Sequence, residues 1–223
     1  MVARHVQKAR MTEAANPDHL AGALRLAELL SERLCHDLSG SLGSLAGAVE
    51  LAVDDLASRA EALSIATELA TTLTGRLKLF RAAWGSDCGA LSPAEIAALT
   101  TGHTRRVSLN LTGVTDGSLP GPVARLMLNL LLLGIEALPG GGTLTATGAI
   151  RTGLALVPRG PRAAWPAGFA ALLVSDDIKL PYSPRGLLAP LVVLLARDAG
   201  LRLTLLMASS VDEQPAPLLL SCD

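Results

Sequence analysis

The chain has 223 residues, half of them apolar and 2% aromatic, with a formal net charge of −1, long enough for one domain or two modest ones around a real core. The lack of Lys/Arg clusters removes the electrostatic footprint of a nucleic-acid binder, and the scarcity of aromatics removes a base-stacking surface. The longest uncharged apolar runs, around Leu126–Ile135 and Gly186–Ala196, fall short of the about 18 to 20 residues that cross a bilayer, so no membrane partner is expected and the cytoplasm is the expected location.

The first sixteen residues begin "MVARHVQKAR" and carry basic charge without the apolar stretch of a secretory signal; they read as a disordered leader. In "NPDHLAGALRLAELL", Asn16 is a candidate N-cap and Pro17 suits the first helical position, where its missing N–H does no harm. A helix is expected from Pro17 to Val53. Its residues Leu30, Leu34, Leu38, Leu42, Leu45 and Val49 are spaced 4, 4, 4, 3, 4 and share one face. After "DDLASR" the series Ile65, Leu69, Leu73, Leu77, Phe80 and Trp84 repeats that spacing, so two helices and a short connection form an antiparallel hairpin.

A lone hairpin leaves those stripes wet. At about 1.5 to 3 kcal/mol for each large side chain buried, exposing half of them forfeits roughly 10 kcal/mol, comparable with the stability of a whole domain. Either the C-terminal domain folds back over the stripe or a second copy covers it; a homodimer with a symmetric four-helix bundle is the expected solution.

From about Ser86 the pattern changes. "RRVSLNLTGV" alternates as a strand, "PGPVARLMLNLLLLGIEAL" is a buried helix stopped by Pro139 and three glycines, and "GTLTATGAI" alternates again. "PRGPRAAWPAG" reads as loop and "GFAALLVSD" as a strand. "SPRGLLAPLVVLLARDAG" reads as a helix capped by Ser183, and "LRLTLLMAS" and "APLLLSC" as further strands. The fold class is α+β: a helical hairpin over residues 17–86 and an α/β sandwich over 87–223, a mixed sheet covered by helices. Cys35, Cys88 and Cys222 lie far apart in sequence, which suggests neither a disulfide framework nor a metal site.

The chemistry concentrates in "SERLCHDLSGSLGSLAGAVE" (Ser31 to Glu50). With Leu34 set at zero on a helical wheel, the apolar series falls between about 0° and 80°, whereas His36, Gly40, Gly43 and Gly47 fall at about 200°, 240°, 180° and 220°. Each interior glycine costs roughly 1 kcal/mol against alanine. Two readings remain open: the glycines allow close packing within the protein, or with Ser44 they bare the backbone beside an exposed imidazole for a partner. A neutral imidazole is a competent nucleophile at cellular pH, and Nε2 of His36 is a candidate phosphoryl acceptor. Asp37 can orient or deprotonate the ring, although sequence neighbours do not face each other on a helix. Arg33 can hold a phosphoryl group or an acidic partner, or stand as a solvated charge. His5, His19 and His103 read as ordinary polar residues.

The segment "RLCHDLSGSLG" resembles the histidine box of two-component signalling proteins and, more narrowly, that of the ChpT-type histidine phosphotransferases of alphaproteobacterial cell-cycle relays. The likeness extends to "LKLFRAAWG", "NLLLLGIEALPGGGTLT" and "LLARDAGLRLTL". It implies a dimeric helical bundle joined to a degenerate histidine-kinase ATPase domain. It further implies a relay from the receiver domain of a CckA-like hybrid kinase through His36 to CtrA-like and CpdR-like response regulators. No ATP or other cofactor is implied, and Mg²⁺ is supplied by the receiver. The family's Ser-Pro is Gly40-Ser41 here, and of the kinase Asn-x-x-x-Asn box Asn129 remains while the second position is Leu133. With no glycine-rich lid and no oxygen ligand at that position, the means of holding nucleotide are missing. A divergent ATP-dependent histidine kinase and a non-catalytic dimeric scaffold are the alternatives.

Overall fold

The computed structural model describes residues 17–101, 106–206 and 214–222. The expected leader, His5 and His103 lie outside them. Helix α1 (Pro17–Asp54) runs 38 residues without a break, through Gly40-Ser41 included, and α2 (Arg59–Trp84) returns antiparallel to it. Asp55 makes the turn: its carboxylate accepts from the Ala57 N–H at 2.9 Å and the Ser58 hydroxyl at 2.7 Å, an arrangement that spares the chain a longer loop. Small residues close the seam, with Ala52, Ala62 and Ala66 buried alongside Leu73. Arg76 of α2 reaches across to the Asp37 carbonyl and the Ser41 hydroxyl.

The remaining elements are α3 (Pro93–Thr101), β1 (Val107–Val114), α4 (Gly121–Glu136), β2 (Gly142–Ala149), β3 (Gly153–Arg159), α5 (Phe169–Val174), a 3₁₀ turn (Pro184–Gly186), α6 (Leu188–Asp198), β4 (Leu201–Leu205) and β5 (Leu218–Cys222). They build a five-stranded sheet in the order β1-β2-β3-β5-β4, with β1 parallel to β2 and the other pairs antiparallel. One face of the sheet, carrying Val107, Leu111, Leu144, Ala146, Leu154, Leu156, Leu218 and Leu220, is buried in the core with α4 and α6. The opposite face presents Ser108, Asn110 and Thr112 from β1, so the layer is two-deep with one polar side. Close approach of α4 to the sheet needs Gly134, since a Cβ there would sit 2.5 Å from Leu144 Cδ2. The turn into β2 needs Gly141 and Gly142, whose φ values are 81° and 138°.

Four expectations change. "GFAALLVSD" is helix α5, not a strand: a short apolar run carries no period that separates the two, and only Phe169 of it is buried. Strand β3 begins before the expected loop and occupies its first residues. Helix α3 was not anticipated, although Ser92 and Glu95 form a capping box, the Ser92 N–H and hydroxyl each donating to Glu95 Oε2 at 2.7 Å. Ser183 precedes the 3₁₀ turn, makes no capping hydrogen bond, and α6 starts only at Leu188.

The stripe is covered in part. Leu26, Leu30, Leu34 and Leu38 of α1 and Phe80 and Trp84 of α2 pack onto the α/β core. Further from it, Leu42 (53% exposed), Val49 and Ile65 are open, and Leu20, Leu24 and Leu77 are open beside the packed positions. The C-terminal layer therefore covers one side of the near half of the hairpin and leaves the stripe beyond Leu38 bare.

Candidate functional site

His36 sits mid-helix on α1 with its side chain 70% exposed. Leu34 and Leu38 beside it pack onto the α/β core, while the imidazole itself opens to solvent. Its Nδ1 lies 3.2 Å from Asp37 Oδ1, so adjacent side chains do meet here. With the Nδ1 proton directed at a carboxylate, the lone pair is on Nε2, the outer nitrogen. The Asp37 carboxylate is shared: its Oδ2 lies 3.5 Å from Arg33 Nε.

Arg33 is not a solvated charge. Its side chain is 11% exposed, Nη2 donates to Glu136 Oε1 at 2.6 Å, and Nη1 reaches the Pro184 carbonyl at 3.4 Å. The strap Tyr182–Arg185, to which Pro184 belongs, is tied to α1 a second time by Arg25 Nη2, which donates to the Tyr182 carbonyl at 2.8 Å. Glu136 ends α4 and thus comes from the C-terminal layer; burial pushes its carboxyl above the ordinary 4.5, Arg33 opposes that, and Asp37 adds to it. Between helix and strap lies an open cleft of about 750 Å³ whose walls include Glu32, His36, Asp37, Glu136 and Arg185. The imidazole therefore lines a cleft bounded by both parts of the chain.

Nothing lies within 4 Å of where a Cβ would stand at Gly40, Gly43 or Gly47. Close packing inside this chain does not account for them. Ser44 is exposed and its hydroxyl turns back to the Gly40 carbonyl at 3.0 Å. The four positions follow His36 along an open face of α1.

Asn129 is fully buried and committed: Oδ1 accepts from Trp84 Nε1 at 2.9 Å, and Nδ2 donates to the carbonyls of Ala83 at 3.0 Å and Arg125 at 2.9 Å. Leu133 is buried as well. Asn129 thus ties α2 to α4, and Leu133 is part of the core. Among the described residues no group of three or more His, Cys, Asp or Glu side chains is placed to hold a metal, and no helix is long and apolar enough to cross a membrane. Sequence reasoning missed Glu136 and the Tyr182–Arg185 strap, for no local pattern connects them to a histidine a hundred residues earlier.

A helical hairpin carrying an exposed histidine thus packs against a one-sided α/β layer. The family described as "Histidine phosphotransferase C-terminal domain" matches residues 93–210, more than half of the chain, and the chain belongs to that family. His36 lies outside the matched span. The protein phosphotransferase ChpT of Brucella abortus (strain 2308) is 29% identical over 128 residues, 55% of this chain and 60% of that protein's length; the aligned part therefore spans less than two thirds of the relative. A bacterial phosphotransferase structure at 1.7 Å superposes with a TM-score of 0.69 at 22% identity, covering 89% of this chain and 95% of the other. A span of that size takes in most of the hairpin along with the α/β layer.

Proposed function

We propose that this protein is a phosphorelay intermediate that accepts a phosphoryl group on His36 from one receiver domain and gives it to another. The observation that carries the reading is the imidazole itself: exposed on a helix, Nδ1 turned to Asp37, and the ring at the wall of a cleft. In the forward step Nε2 attacks the phosphorus of an aspartyl phosphate; the N–P bond forms as the P–O bond breaks, and the donor's carboxylate leaves. The ring now carries positive charge, and Asp37 stabilises it through the Nδ1 proton. In the second step an aspartate oxygen of the next receiver attacks, the N–P bond breaks, and the neutral ring returns. Any Mg²⁺ in the reaction belongs to the receiver. The commitment of Asn129 and Leu133 to packing supports a chain that does not use ATP.

The working unit is a homodimer. Leu42, Val49 and Ile65 extend the stripe beyond the part that the C-terminal layer covers, and a second hairpin across a two-fold axis buries it. Gly40, Gly43, Ser44 and Gly47 then offer a smooth outer face to the receiver. The hybrid-kinase receiver and the downstream regulators are the partners, and the cytoplasm is where they meet.

Incubation with a phosphorylated receiver should place acid-labile, base-stable phosphate on the wild-type chain and none on His36→Gln. Label gained from ATP alone, or none gained from any receiver of a broad panel, would overturn the reading.

A further inference from the structure

Arg33 has two carboxylates within reach and a full hydrogen bond to one of them. Glu136 takes Nη2 at 2.6 Å, whereas Nε, enclosed and 3.5 Å from Asp37 Oδ2, makes no hydrogen bond. Asp37 in turn keeps Oδ1 at 3.2 Å from His36 Nδ1. The four groups form a chain, Glu136–Arg33–Asp37–His36, from the end of α4 to the exposed ring. A guanidinium this buried requires a close counter-charge. If Glu136 did not supply it, the nearest replacement is the Asp37 carboxylate, and arginine's planar fork would engage it in two aligned bonds and draw it from the imidazole.

We propose that Glu136 is a positioning residue for His36. By holding Arg33 it leaves Asp37 free to accept the Nδ1 proton, and so keeps Nε2 as the unprotonated, outward nitrogen. This rests on the phosphotransfer reading above and deepens it: it makes the C-terminal layer a contributor to the nucleophile's geometry. Among the described residues, the charged groups lining the cleft besides these four are Glu32 and Arg185, and no salt bridge joins either to Arg33 or His36.

The test is Glu136→Gln, which keeps shape and removes charge. It should transfer phosphate from a phosphorylated receiver at least about 10-fold more slowly, a loss in the range that orientation of a general base supplies. The imidazole ¹⁵N shifts should show the Nδ1–H tautomer losing its dominance, while the circular dichroism melt stays close to wild type. The double variant Arg33→Gln with Glu136→Gln should recover the wild-type tautomer, because the competitor for Asp37 is gone. Slow transfer with an unchanged tautomer would assign Glu136 to docking and overturn the proposal, as would a double variant with no recovery. Glu136→Asp, which retains charge but retreats from the guanidinium, should fall between wild type and Glu136→Gln and keeps the test alive if the glutamine variant melts early. A wild-type chain that takes no phosphate at all would defeat the relay reading instead, and the tautomer measurement would still decide the role of Glu136.

Discussion

The far half of the hairpin and the α/β layer are both rich in leucine, yet they treat it in opposite ways. In α4 ten of sixteen residues are buried, from Ala124 through Gly134, and the sheet, α6 and the end of α2 surround them. In the hairpin beyond Leu38, Leu42, Val49, Leu56, Leu63 and Ile65 remain open. The same kind of apolar side chain therefore stabilises one region within the chain and faces solvent in the other.

The largest effect should come from charging the bare stripe. Val49→Glu with Ile65→Glu, two positions at one level of the hairpin, should convert a dimer to a monomer in sedimentation, since about 1.5 to 3 kcal/mol per buried side chain is lost on each protomer. The C-terminal layer should still melt cooperatively. An unchanged sedimentation coefficient would mean that the stripe is not the dimer contact.

Within the layer, Asn129→Leu strips the acceptor from the Trp84 indole N–H, while the Ala83 carbonyl keeps Arg125 Nε at 3.2 Å. At about 1 to 3 kcal/mol for a buried group left unpaired, a loss of about 2 kcal/mol is expected in denaturant unfolding. A smaller step is Ser92→Ala, which removes the cap of α3 and should cost about 1 kcal/mol. The smallest is a pH effect. Because burial raises the Glu136 carboxyl above 4.5, the folded state holds that proton more tightly than the unfolded chain. Stability from this group is full below 4.5 and falls as pH rises through the raised value. Melts of Glu136→Gln across that interval should lack the decline.

The sequence was most legible where a period ran long. Both hairpin helices fall within a residue or a few of the expected bounds, because twelve apolar positions at 4, 4, 4, 3, 4 spacing leave little room for another structure. It was least legible in short pieces: six residues of α5 and nine of α3 carry too few turns to show a period, and the Ser92–Glu95 box was the one usable sign. The site divides the same way. His36 and its exposed face follow from the wheel, and Asp37 proved closer than helix neighbours generally allow. Glu136 depends on where α4 ends against α1, which is a property of tertiary packing and leaves no mark within any local window.

The Trp84–Asn129 pairing also works as a latch between the hairpin and the α/β layer. To turn the amide outward, the indole N–H would need a new acceptor in a dry interior. The fixed angle between the end of α2 and α4 therefore rests on one buried amide, and with it the placement of everything that α4 carries.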